Sequence, residues 1–375
     1  MRKKAKGKPG PPAPSSLAAL HAWYSKNARA LPWRESNANP YHVLVSEFLL
    51  QQTQVKQAIP YYERFIKKFP TLSSLASADL DSVLKAWEGC GYYARARNLH
   101  KTAQIIMKQY DGKIPSSHAA LLSLPGIGPY LAASISSIAY QQPHAVLDGN
   151  VIRVLARASA YPHAVDSPKS KKELQKMAQD WLDQSPAVSP SLHNQSMMEL
   201  GALICTPRNP KCASCPLAGI CRAHLVGREE DFPIKARRQA RPLIQVGTGF
   251  LFNQKGEILI SQRYGDDFLG GLWEFPGGKQ EEGESLARCV EREFMEEVGL
   301  PIRARDELMV VRAEYTHKSV DMHVFRCVLQ KNASSLPRPL ECQAVKWEKI
   351  SNLGKYAFPK ANRRMLEWLE KGVPR

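Results

Sequence analysis

Near residue 226 the apolar pattern of this chain changes period, from helical spacing to strand-like runs. From Leu17 to Leu225, apolar patches recur at helical spacing between short breaks such as FPTLSSL and GKIPSSH, which marks an all-helical region. From residue 243 onward, LIQVGTGFLF, EILISQR, ELMVVRAEYT and VDMHVFRCVL read as strands, with helices expected at 284–298 and near 359–371. Between the two regions, VGREEDFPIKARRQARP is charged, holds two prolines and lacks a period, as expected of a linker over 226–242. The expectation is a multidomain chain, with an all-α domain at 17–225 and an α+β domain at 243–375. Its 375 residues are enough for two cores. Residues 1–16, basic and then rich in Pro and Gly, are expected to form a disordered tail.

A formal net charge of +17, spread over runs such as MRKKAKGK, SPKSKKELQK and KARRQAR, points to a polyanionic partner. Nucleic acid is the simplest, although anionic membrane surfaces would attract the same runs. No apolar run is long enough to cross a bilayer, and the N-terminus lacks an apolar segment, so a cytoplasmic chain without a membrane partner is expected. Without a secretory signal, its eight cysteines are expected to bind metal or to pack as small side chains rather than to form disulfides.

Cys205, Cys212, Cys215 and Cys221 follow C-x6-C-x2-C-x5-C within CTPRNPKCASCPLAGIC. Four thiolates in so short a loop can close on one metal centre. Zinc is the generic ligand of four cysteines, but it usually takes two C-x2-C knuckles, whereas iron-sulfur clusters accept uneven spacings. Cys90, Cys289, Cys327 and Cys342 are isolated and read as packing residues.

Upstream, LPGIGPYLAASI places Gly126 and Gly128 just before a new helix, where backbone N–H groups can hold a phosphate. An ordinary helix-helix turn would look the same. In VLDGNVIRV, Asp148 sits where another helix begins, and its N–H groups and dipole should keep that carboxylate ionised. In PYHVLVSEFLLQQTQV, Glu47 has Val43, Leu44 and Leu50 three and four positions away, so it should titrate high and be able to donate a proton.

The cysteine loop, the hairpin and the aspartate together resemble the endonuclease III and MutY superfamily of DNA repair glycosylases over residues 17–225, and SEFLLQQTQV with GYYARARNLH is similar to the MutY-type adenine DNA glycosylases. That resemblance implies a [4Fe-4S] cluster on the four cysteines, with Arg208 and Lys211 held toward DNA phosphates. It also implies a monomeric enzyme acting on double-stranded DNA with adenine mispaired with 8-oxoguanine or guanine. Breaking a purine glycosidic bond calls for an acid at the base and an anion near the sugar. Glu47 is the implied acid and Asp148 the implied anion, with Tyr130 and Asn150 assisting. Gln52 and Tyr92 match residues that wedge into the duplex as the adenine is flipped out, and Arg34 and Gln195 match contacts around that base. Strand-cutting relatives use a lysine eighteen residues before the aspartate, where this chain has Tyr130, so the expected enzyme leaves the strand intact.

Residues 278–300 satisfy G-x5-E-x7-R-E-U-x-E-E-x-G-U, where U is a bulky apolar residue. Glu293, Glu296 and Glu297 share a helical face, where like charges cost roughly 0.2–0.5 kcal/mol per pair. A hard divalent cation would compensate, and so would a surface helix bridged by Arg288 and Arg292. The pattern is that of the Nudix box, and WEFPGGK with FPKAN resembles MutT. This second resemblance implies Mg2+ at the three glutamates with Glu284 in the same acidic site, and nucleotide contacts from Arg263 and Asn362. Against hydrolysis, the position late in the following strand where a further acidic ligand is expected is Gln330 here. The 8-oxoguanine reader motif of MutY-type enzymes reads Tyr315, Thr316 and His317 here. Three function classes follow: DNA glycosylase, nucleotide pyrophosphohydrolase and non-catalytic DNA-binding module.

Overall fold

The computed structural model describes residues 14–34, 39–236, 241–265, 267, 269–315, 317–331 and 336–372. Most of the expected tail therefore lies outside the described residues, and a helix, Pro14–Asn27, starts within its last positions. The chain forms two compact units. One comprises Met1–Ile66, Thr71–Ser73 and Lys101–Arg238, and the other Lys67–Pro70, Ser74–His100 and Gln239–Arg375. The segment Ser74–His100, helical as its apolar pattern requires, thus packs with the C-terminal part of the chain.

The first unit is helical. Its core gathers Leu20, Leu155, Leu174, Trp181 and Leu200. Four helices matter for the site: Pro40–Leu50, Pro129–Tyr140, Gly149–Ser159 and Pro190–Leu203. Three of them open on proline, whose fixed φ suits the first turn and whose missing N–H costs nothing there. Side-chain caps from Asn39, Asp148 and Ser189 fix three of the four starts. The Pro40–Leu50 helix is buried from Val43 to Leu49 without a break. A helix buried all round places every side chain it carries in the interior, Glu47 included.

Among its described residues the second unit contains seven strands: β1 Leu243–Leu251, β2 Ile258–Gln262, β3 Trp273–Glu274, β4 Gly277–Lys279, β5 Ile302–Glu314, β6 Ser319–Leu329 and β7 Ala344–Glu348. They form a four-stranded sheet in the order β4-β1-β6-β5 and a three-stranded sheet in the order β3-β2-β7. Among the described residues only β1 and β6 pair in parallel. Adjacent residues go to opposite cores. Phe250, Ile260 and Val324 join Phe358 and Met365 on one side, while Leu251, Leu259 and Phe325 join Val290 and Phe294 on the other. This period-2 alternation sandwiches the sheets between the helices Leu286–Val298 and Lys360–Glu370.

The acidic helix comes so close to β1 because that strand reads V-G-T-G-F. A Cβ on Gly249 would lie 2.4 Å from Cys327 Sγ and 2.9 Å from the Phe294 ring, and one on Gly247 would lie 2.8 Å from Val290. The helix starts on the Ser285 cap and stops at Gly299, whose φ of 66° carries the left-handed turn. Gly249→Ala should therefore destabilise the protein by about 1–3 kcal/mol. Gly354→Ala, at a site open on all sides, should stay within about 0.5 kcal/mol. Urea unfolding of the two variants measures the difference.

Candidate active site

Glu47, Tyr130, Asp148, Asn150, Gln52, Arg34 and Gln195 all line one cavity of about 750 Å³ in the first unit. Glu47 comes from the buried Pro40–Leu50 helix and is 5% exposed. Burial pushes its carboxyl up to about 7. The Tyr130 and Ser134 hydroxyls and the charge of Arg34 pull it down, while that of Asp148 raises it further. Glu47 Oε2 is buried without a hydrogen-bond partner among the described residues, so one oxygen of this group is left for something entering the cavity.

Asp148 caps the Gly149–Ser159 helix. Its Oδ1 accepts the Val151 N–H at 2.7 Å and its Oδ2 accepts Asn150 Nδ2 at 2.7 Å. The expectation that these donors alone would hold it low needs amendment. Burial is the larger influence and raises the carboxyl above its ordinary value, against the Val151 and Asn150 donors and the charge of Arg153. The two carboxyls are thus both destabilised as anions by burial, and they differ in supply of donors. Asp148 has its hydrogen bonds built in, and Glu47 Oε2 has none.

A third carboxylate, not singled out in the sequence, completes the wall. Glu199 is 1% exposed and lies four residues after Gln195 on the same helix face. It accepts Arg29 Nε at 2.6 Å and Arg34 Nη2 at 3.0 Å. Burial alone would raise Glu199, but the hydrogen bonds and charges of Arg29 and Arg34 outweigh it and hold the carboxyl below its ordinary value. The i+4 spacing from Gln195 was the available signal. Gln195 itself is positioned by Tyr24, whose hydroxyl donates to Oε1 at 3.2 Å, and donates in turn to Ser191 Oγ at 2.9 Å.

Gln52 and Tyr92 are both exposed and both left-handed, with φ of 61° and 50°. Gln52 lies at the cavity, whereas Tyr92 belongs to the second unit. Gly126, with φ of 74°, turns the chain between the helices His118–Leu122 and Pro129–Tyr140, and Gly128 stands at the N-cap of the latter with open space around it.

The four cysteines are half-buried free thiols on successive short turns. Cys212 and Cys215 are pushed up to about 11 by burial first, then by neighbouring charges that include the other cysteines of the motif. Converging thiols that repel one another as anions are a donor set suited to a cationic iron centre. Two arginines tie the loop down. Arg157, 2% exposed, donates to Cys205 Sγ at 3.3 Å and to the Thr206 carbonyl at 2.7 Å. Arg153 donates to the Cys205 carbonyl at 2.6 Å and to Asn150 Oδ1 at 2.8 Å. A chain of hydrogen bonds thereby runs from Asp148 through Asn150 and Arg153 to the cysteine loop.

In the second unit, Arg292 donates to Glu284, Glu293 and Glu296 at 2.7–2.8 Å. Its hydrogen bond holds Glu284 down to about 2. Glu297 is half-buried, and burial followed by the Glu274 charge raises it. Glu274 pairs with Arg263 at 2.8 Å. Among the described residues the box glutamates do not bring three ligand oxygens within 4.8 Å of one another. The group that meets that distance is Cys212, His224 and Glu229. Gln330 does not face the box, since its side chain donates to the Ile302 carbonyl at 3.1 Å. Asn362 is buried, with Nδ2 unpartnered among the described residues. Tyr315 is half-buried, raised by burial and then by the Glu274 charge, and His317 is exposed. Thr316 lies outside the described residues.

Three family profiles match the chain. The HhH-GPD superfamily of base excision DNA repair proteins covers residues 45–184, the iron-sulfur binding domain of endonuclease III covers 205–221, and the NUDIX domain covers 247–368. An adenine DNA glycosylase of Mus musculus is 33% identical over 401 residues, spanning 93% of this chain and 77% of that protein. The chain belongs to the adenine DNA glycosylase family. The family member from Buchnera aphidicola subsp. Baizongia pistaciae is 40% identical over 257 residues, 68% of this chain and 71% of its own. A thermostable thymine-DNA glycosylase superimposes with a TM-score of 0.50 at 26% identity, covering 56% of this chain and 95% of that one. The four thiols therefore belong to an iron-sulfur binding motif, and the all-α and Nudix folds expected from the sequence are both present.

Within this member of the adenine DNA glycosylase family, Glu199→Gln should cost about 1–3 kcal/mol, since Arg29 and Arg34 lose their shared anion. The acid dependence follows from the depressed carboxyl. The Glu199 contribution is complete above pH 4.5 and is lost as pH falls toward the lower folded-state value. The variant should lack that part of the acid destabilisation, as read from urea midpoints across pH 3–7.

Proposed function

We propose that this protein is a monofunctional adenine DNA glycosylase, hydrolysing the N-glycosidic bond of adenine mispaired with 8-oxoguanine or guanine in double-stranded DNA. The observation that carries the reading is the shared cavity of Glu47 and Asp148, one carboxyl with an unpartnered oxygen and the other with built-in donors. In this reading the adenine leaves the stack and enters the cavity. Protonated Glu47 donates to the leaving base, and ionised Asp148 faces the cationic sugar as the bond breaks. Asn150 fixes Asp148, while Arg34, Gln195 and Glu199 offer donors and an acceptor to the base edge. Tyr130, half-buried beside Glu47, supplies a hydroxyl and no amine nucleophile, in keeping with hydrolysis that leaves the strand uncut. The four cysteines would hold a [4Fe-4S] cluster that organises the loop carrying Arg208 and Lys211 toward phosphates.

Glu47→Gln should retain binding to a duplex with adenine opposite 8-oxoguanine and lose adenine release by at least about 100-fold. Equal loss of both would make the residue structural. The single-turnover rate should fall as pH rises past about 7, because the Glu47 acid then deprotonates. It should fall again in acid, where Asp148 takes up a proton. Borohydride should trap no imine adduct with the duplex.

A second reading concerns the Nudix fold, where Glu274 and Glu297 are half-buried and the charge of Glu274 raises the Glu297 carboxyl. Such a pair favours a hard cation such as Mg2+, with Glu293 and Glu296 released from Arg292 to join it and Arg263 and Asn362 contacting a nucleotide. In the same reading Tyr315, Thr316 and His317 read 8-oxoguanine in DNA. The full chain incubated with Mg2+ and 8-oxo-dGTP distinguishes the two roles. Pyrophosphate released by the wild type but not by Glu297→Gln supports hydrolysis, and none from either leaves lesion reading alone.

A further inference from the structure

Tyr92 is a large aromatic side chain left 46% exposed on a turn that is otherwise tightly built. The turn follows the helix Leu80–Trp87 and runs through three left-handed residues, Gly89, Gly91 and Tyr92, with φ of 88°, 74° and 50°. The first two carry no Cβ, and Tyr92 accepts a conformation that side chains rarely adopt. Buried Arg95 holds it there. Its guanidinium lies 5.3 Å from the Tyr92 ring and 5.5 Å from that of Trp87, and it donates to the carbonyls of Cys90 at 3.3 Å and Gly91 at 3.1 Å. Trp87 Nε1 donates to the same Gly91 carbonyl at 3.0 Å. An exposed ring on so constrained a turn is a ready stacking platform for a base.

The segment carrying this turn is anchored in the second unit. Tyr93, next to the platform, donates its buried hydroxyl to the Phe358 carbonyl at 3.2 Å. Arg97 donates to the Gly270 carbonyl at 2.6 Å, and Lys85 to the Tyr356 carbonyl at 3.1 Å. Asp81 accepts Gln262 Nε2 at 3.0 Å. A Cβ on Gly271 would lie 3.0 Å from Leu84. The partners named here, Gln262, Gly270, Gly271, Tyr356 and Phe358, all fall within the NUDIX match at 247–368.

We propose that the Nudix fold sets the position of Tyr92, with Arg97 and Tyr93 as positioning residues that act on the duplex through the Tyr92 ring. This deepens the glycosylase reading and rests on it for the nature of the duplex. The Nudix fold then contributes to substrate binding at a distance from its own acidic helix, by holding a wedge that comes from the helical half of the sequence.

A double-mutant cycle on equilibrium binding tests the proposal. The probe is a fluorescein-labelled duplex with 2′-fluoro-deoxyadenosine, which resists hydrolysis, opposite 8-oxoguanine. Tyr92→Ala should weaken Kd about 10-fold, as expected for the loss of one stacking contact. Arg97→Met should weaken it in the same direction, and the double variant should bind no more weakly than Tyr92→Ala alone. Arg97→Lys, which keeps a donor for Gly270, should restore wild-type Kd. Should Arg97→Met fail to fold, Tyr93→Phe keeps the buried ring, removes one donor and takes its place in the cycle. Multiplicative losses in the double variant would overturn the proposal. So would wild-type Kd in Tyr92→Ala, or a lower Tm in Arg97→Met with Kd unchanged. Failure of the glycosylase reading is separately visible, as absence of adenine release from the hydrolysable duplex by the wild type.

Discussion

Burying two carboxyls against one cavity is the constraint on which the first unit depends. Neither Glu47 nor Asp148 is stable as an anion in such a place without help, and the help is unequally distributed. Asp148 receives a helix start and an asparagine, which compensate part of the cost of its charge. Glu47 sits on a helix with no polar side facing it at Oε2 and is left near the point where it holds or gives up its proton at neutral pH. The contrasting roles proposed for these chemically similar groups rest on where donors are placed as well as on the deeper burial of Glu47.

The high basic charge of the chain also has two uses. Part of it, such as the lysines of the helix Pro168–Asp183, is solvent-facing and suited to phosphates. Another part is internal. Arg157 and Arg95 are buried and satisfy backbone carbonyls, Arg153 bridges the cysteine loop to Asn150, and Arg29 with Arg34 neutralises Glu199. Planar guanidinium groups with five donors in a fixed fork can close more orphan acceptors at once than the three donors of a lysine. Net charge alone therefore overstates the cationic surface of this protein.

The acidic helix of the second unit follows the same logic in reverse. Its glutamates would repel one another, and Arg292 offsets this by bonding three carboxylates. Glu297 escapes that clamp, accepts the Gly277 N–H at 3.2 Å, and is raised by burial and by the charge of half-buried Glu274. Glycines in β1 let this helix come close enough for its apolar face to join the sheet core.

Local pattern and spacing determined much of this protein. Helix and strand periods placed the main elements, the apolar neighbours of Glu47 indicated its burial, and C-x6-C-x2-C-x5-C identified the metal loop. Short strands such as Trp273–Glu274 and Ala344–Glu348 were not legible, since a few residues carry no measurable period and are held by pairing with β2. Packing between distant segments decided the rest: that Glu199 is buried under Arg29 and Arg34, that Gln330 turns to the Ile302 carbonyl, and that Ser74–His100 joins the C-terminal unit. The reason is physical. A sequence window specifies which faces of an element are apolar, whereas the partner that covers each face, and the balance between burial and hydrogen bonding on each carboxyl, exist only once the chain has closed on itself.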